Sequence, residues 1–162
     1  MKLTKSFGKG PTFASEERIF HEKAFGQLAT LFPQVESELV LSSLSAPTMK
    51  VDLAAKSTNG VSLVFEEKYL PPDSMLSYGD VPSLFALKGA LSTIKPEPVL
   101  VLLTSLEVAS PLRRLLFQSR ILAICLGNNE SETASRLDQA LREIDITIPE
   151  LVNIRGQTTV SN

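Results

Sequence analysis

From Ser15 to Phe32 apolar side chains recur every three or four positions, at Ile19, Phe20, Ala24, Phe25, Leu28, Leu31 and Phe32, and this spacing predicts a helix. Glu16 and Glu17 fall in its first turn, where negative charge meets the positive end of the helix dipole, and Pro33 stops it. The period then shortens. Residues 37–43 and 48–56 are β-rich runs, and "VSLVFEEKYL" alternates apolar and other residues over 61–69 as a half-buried strand does. Asn59-Gly60 between the second and third runs is a hairpin signal. Three antiparallel strands are predicted.

Beyond residue 79 the helical period returns. Leu84, Leu87, Leu91 and Ile94 form one stripe, with Asp80 as the expected cap and Pro82 in the first turn, where its missing N–H costs nothing. "PVLVLLTS" and "RILAICLG" are unbroken apolar runs, as expected for strands covered on both faces. The short helix between them, opened by Ser110-Pro111 and carrying Arg113, Arg114 and Leu116, makes a right-handed crossover and hence parallel pairing. Asn129 to Glu132 has the form of a capping box before a last helix whose stripe is Ala134, Leu137, Leu141 and Ile144. The predicted fold is one α/β domain with a mixed sheet of about five strands flanked by helices.

The 162 residues suit a single core. Residues 1–13 are expected to be a flexible tail, 14–145 the folded domain and 146–162 a C-terminal extension. Its "IDITIPELVNI" segment packs either on its own sheet edge, on a sister subunit or on a larger partner. A net charge of −2 argues against coating nucleic acid through a global positive field, although a local basic groove is compatible with it. The single Cys125, inside an apolar run, is expected to be buried and inert. No secretory signal and no apolar stretch of about 20 residues is present, which predicts a soluble, cytoplasmic protein. His21, the one histidine, is expected to be partly exposed, and "GKGPT" lacks the spacing of a phosphate loop.

The chemistry concentrates in the hairpin. Glu66, Glu67 and Lys68 end the third strand, with Glu66 and Lys68 on one face, and the preceding strand carries a lone Asp52 in "MKVDLAA". Glu-x-Lys alone means little, since ordinary residue frequencies give about one such triplet by chance in a chain of this length. Its place at a strand end beside a second acid is what gives it weight, because an unpaired carboxylate is costly to bury. For Asp52 to stand opposite Glu66, the turn must be the three-residue loop Thr58-Asn59-Gly60 with Gly60 in a bulge; a two-residue loop would pair Asp52 with Glu67 instead.

With these residues in place, the chain resembles the PD-(D/E)xK nuclease superfamily, of restriction-endonuclease-like fold, over roughly residues 14–127. The family's αβββαβ core matches the predicted order, and its motif falls on Asp52, Glu66 and Lys68, with Val51 where the family's proline stands. The resemblance implies an endonuclease that hydrolyses phosphodiester bonds, in DNA ahead of RNA. Asp52, Glu66 and the carbonyl of Glu67 would hold Mg²⁺, with Mn²⁺ as a substitute, and Lys68 would position the attacking water. It further implies a first-helix carboxylate at the site, for which Glu22 is the first candidate and Glu17 the second. A homodimer or a place in a larger assembly is expected, two copies pooling Arg113, Arg114, Arg120 and the lysines of the tail around one groove. Two other readings stay open: an ion-pair ladder worth only ~0.2–1 kcal/mol, and a nuclease-like domain without catalysis that binds nucleic acid or protein.

Overall fold

The computed structural model describes residues 2–5, 15–43 and 46–158. Lys2–Lys5 (β1) precedes Ser15–Leu31 (α1), followed by Gln34–Ser43 (β2), Ala46–Lys56 (β3) and Ser62–Lys68 (β4). Val81–Leu91 (α2), Val99–Thr104 (β5), Ser110–Gln118 (α3) and Ile121–Cys125 (β6) form the crossovers, and Glu130–Arg142 (α4) and Pro149–Thr158 (α5) complete the order. One six-stranded sheet runs β1 to β6 in sequence order, antiparallel as far as β4 and parallel from β4 to β6. The αβββαβ core predicted from the sequence is therefore present as a mixed sheet flanked by helices. Among the described residues no helix is long and apolar enough to cross a membrane.

Each face of the sheet has its own apolar layer. Leu53, Phe65, Val101 and Leu122 meet α1, α4 and α5 on one side, while Val64, Leu100, Leu102 and Ile121 meet α2 and α3 on the other. All six residues of β5 are buried, which is why its sequence shows no alternation.

Four expectations change in the folded chain. The expected flexible tail contributes β1, which pairs with the outer side of β2 from Lys2↔Ser42 to Lys5↔Leu39; residues 6–13 lie outside the described residues. The hairpin begins three residues earlier than predicted, because Gln34 still pairs with Lys56. Residues 146–158 join the domain's own helical layer rather than a sheet edge, with Ile148 and Leu151 fully buried in the α1-side core. Asp80 stands at the N-cap position of α2, as expected, but its side chain does not cap: the carboxylate turns back to accept from Ser77 N–H at 3.0 Å and pairs with Lys68. At α4, Asn129 accepts from Glu132 N–H at 2.9 Å, as the capping pattern predicts.

A buried polar link ties α1 to the start of α4. Gln27 Nε2 donates to the Gly127 carbonyl at 2.9 Å, Gly127 N–H donates to Thr133 Oγ1 at 2.9 Å, and the Thr133 hydroxyl donates to Gln27 Oε1. A Cβ at position 127 would lie 2.5 Å from Glu132 Cβ and 2.9 Å from Thr133 N, so only glycine fits. Gly127→Ala is expected to destabilise the fold by about 1–3 kcal/mol, the usual cost of overpacking. A urea midpoint unchanged by the substitution would show that the α4 end yields freely.

Candidate active site

β4 pairs with β3 only from Leu53↔Phe65 to Lys56↔Ser62, while the first half of β3 pairs with β2 alone. The sheet thus forks at Asp52. The ladder ends at Leu53↔Phe65, the register that the three-residue loop requires, and its extension by one residue would set Asp52 opposite Glu66. Gly60 has φ 88, a conformation that side chains disfavour, and Ser57 N–H donates to the Val61 carbonyl at 2.9 Å to close that loop.

The strand also changes face at the fork. Val51 packs with the α2–α3 layer and Leu53 with the α1–α4–α5 layer, although strict alternation would send both to one side. The same row of the hairpin holds Glu38, whose φ of 53 marks a sharp local twist. The carboxylate of Asp52 reaches the backbone of β4, where Oδ2 accepts from Glu67 N–H at 2.7 Å.

The field at the fork is unfavourable to two carboxylates. Burial raises Asp52 to about 6, against the hydrogen bond from Glu67 N–H, which lowers it. Burial also raises Glu66, to about 8, with the charges of Asp52 and Glu67 adding to the effect and Lys68 opposing it. Glu66 Oε2 is buried and has no hydrogen-bond partner. Lys68 Nζ lies 3.1 Å from Asp80 Oδ1, half exposed at the rim of the α2 side.

On the other face, Glu67 meets α1. His21 Nδ1–H donates to Glu67 Oε1 at 2.8 Å, and this bond is the main cause that raises the imidazole above its ordinary 6.5. Phe20 packs on Tyr69 with ring centroids 6.1 Å apart, holding α1 over the end of β4. His21 is partly exposed, as expected, but its tie to the hairpin is not foreseeable from spacing alone. The available signal is that Glu17, His21, Ala24 and Leu28 share one helical stripe. Of the two first-helix acids, Glu17 acts on Asp52, raising its pKa further, whereas Glu22 pairs with Arg18 at 3.1 Å in solvent. Cys125 is half-buried rather than buried, because β6 is an edge strand, and its thiol is pushed up by burial.

Among the described residues, no three His, Cys, Asp or Glu side chains form a cluster able to hold a metal ion. The ligand set implied by the resemblance needs only two side chains, Asp52 and Glu66, with a backbone carbonyl as the third donor. The unpartnered Glu66 oxygen beside a second, half-buried carboxylate fits a hard divalent cation, which takes oxygen donors and removes the repulsion between them.

No protein-family model matches the chain, and no curated protein matches it. Solved structures do resemble it. A protein of unknown function, AF1548, aligns with a TM-score of 0.53 at 9% identity, over 86% of this chain and 96% of that one, which shows a shared fold. Protein VC1899 from Vibrio cholerae aligns at 0.48 and 11% identity, over 76% of this chain and 35% of that one. The MspJI restriction endonuclease, in complex with a 27-mer oligonucleotide, aligns at 0.41 and 18% identity, over 91% of this chain and 33% of that one.

Proposed function

We propose that this domain is a metal-dependent nuclease that hydrolyses phosphodiester bonds, in DNA ahead of RNA, with Asp52 and Glu66 as carboxylate ligands of Mg²⁺ or Mn²⁺. The observation that carries this reading is the buried Glu66 oxygen without a partner at the fork where Asp52 enters. A bound divalent cation supplies charge neutralisation at the scissile phosphate and acidifies water. The chain's own groups do the rest. Glu67 N–H fixes Asp52 through Oδ2 and leaves Oδ1 as the available donor, and the carbonyl of Glu67 is the third ligand in this scheme. Lys68, on the Glu66 face of the strand, orients the attacking water and stabilises the negative charge that develops, after its ammonium leaves Asp80.

A panel of plasmid, oligonucleotide and RNA substrates with and without Mg²⁺ or Mn²⁺ tests the proposal. Cation-dependent cleavage supports it; none with any substrate and either cation refutes it. Lys68→Ala is expected to remove cleavage with the melting temperature nearly unchanged, because the ion pair it loses is half exposed and worth little. Cleavage that persists in that variant would take the role away from Lys68.

A second reading, a binding module without catalysis, draws on the same ion pair, since the ammonium is held by Asp80 at 3.1 Å rather than by Glu66. It predicts nucleic-acid or protein binding with no cleavage in the panel.

A further inference from the structure

The two edges of the sheet differ in kind. β1 is four residues long and has a lysine at each end, as edges that resist further pairing do. β6, at the other edge, is "ILAIC", with no charge and no proline. Leu126 N–H donates into the sheet to the Thr104 carbonyl at 2.8 Å, so alternation turns the backbone groups of Ala123 and Cys125 outwards. α3 and α4 stand on either side of this edge and make it the floor of a groove of about 440 Å³. Arg136, on the α4 wall, reaches down and donates through Nη1 to the Cys125 carbonyl at 2.9 Å.

We propose that the β6 edge is the contact face of a two-fold dimer, in which β6 pairs antiparallel with β6 of a second copy about Ala123. Two features fit a second copy of this chain. The first is register. A two-fold axis at Ala123 joins the outward N–H and C=O of Ala123 to those of its equivalent and sets Cys125 opposite Ile121, so that outward groups meet outward groups throughout. The second is charge. On the α4 wall, Arg136 and Glu143 lie equally far on either side of the step from Gln139 to Ala140. Two antiparallel copies of α4 crossing at that step bring Arg136 of each to Glu143 of the other, with small Ala140 at the crossing. Arg136 then gives up the Cys125 carbonyl, which the incoming Ile121 N–H satisfies. On the α3 wall, Phe117 is 38% exposed and adds apolar contact, while Arg113 and Arg114 of the two copies repel, a cost that salt screens.

Sedimentation of the full chain at micromolar concentration tests this, independently of any nuclease activity. The wild type is expected to be a dimer. Ala123→Pro is expected to weaken it roughly tenfold or more, because that N–H serves no bond within the sheet and proline is tolerated where an edge N–H faces out. Arg136→Glu and Glu143→Arg are each expected to be monomeric alone, and their equimolar mixture to form a heterodimer, since opposite charges then meet at both contacts. Circular dichroism of each variant separates loss of association from loss of fold; should Ala123→Pro unfold, the mixing experiment decides. A monomeric wild type, a dimer indifferent to all three substitutions, or a mixture that stays monomeric would overturn the proposal, the first leaving the edge to an extended segment of another protein.

Discussion

Asp52→Asn is expected to lower cation-dependent cleavage roughly a thousandfold, because charge stabilisation by a bound metal is worth several kcal/mol and each ~1.4 kcal/mol is tenfold in rate. The choice of asparagine matters. Its amide oxygen can still accept the Glu67 N–H that Asp52 Oδ2 accepts at 2.7 Å, so the fork keeps its geometry while the charge goes. Single-turnover cleavage of a labelled duplex gives the rate, and Mn²⁺ titration of the same preparations gives the affinity. Both are expected to fall together with circular dichroism unchanged. A folded variant that cleaves near the wild-type rate would remove Asp52 from the metal centre.

The second large effect concerns stability and pH. Glu66 rises from 4.5 to about 8 in the fold and Asp52 from 3.8 to about 6. A carboxyl with a raised folded-state pKa keeps a proton that the unfolded chain has released, so stability falls as pH climbs from the unfolded value to the folded one. His21 works in the same direction, since its bond to Glu67 stabilises the cation fully below pH 6.5 and is lost as pH rises through its higher folded value. Asp80, held low chiefly by the hydrogen bond from Ser77 N–H, acts on the acid side, losing its contribution as pH falls below the ordinary 3.8. Without divalent cation, the wild type is therefore expected to lose on the order of 3 kcal/mol between pH 5 and pH 8.5.

Glu66→Gln is expected to lie within about 1 kcal/mol of the wild type at pH 5, where the fold still keeps Glu66 protonated, and to lose less than half as much by pH 8.5. Millimolar Mg²⁺ should restore the wild type at the higher pH and leave the variant nearly unmoved, because binding to the folded state alone is what stabilises it. Thermal melts across this range, with and without Mg²⁺, measure both. Equal pH slopes in the two proteins would show that Glu66 ionises freely and that burial does not govern it.

Much of this arrangement is local and so legible in the sequence. The stripe of α1, the unbroken run of β5 and the capping pattern at Asn129 depend on side-chain spacing of two to four residues, which the backbone geometry of each element fixes by itself. Even the register that brings Asp52 to the Glu66 end of β4 follows from the loop, since Thr58-Asn59-Gly60 sets the pairing of the hairpin it closes, up to Leu53↔Phe65. What the sequence did not disclose are the choices made between distant segments. His21 meets Glu67 across 46 positions, and Lys68 selects Asp80 over Glu66. β1 becomes a strand by adding to β2, and α5 finds its place on α4's side of the core. Such contacts are settled by the summed packing of whole layers, in which each pair contributes about as much as its competitors, and no periodicity records them. The burial that raises Glu66 belongs to the same class: the sequence determined which acids stand side by side, and only the closing of both helical layers over the fork decided how costly their charges are.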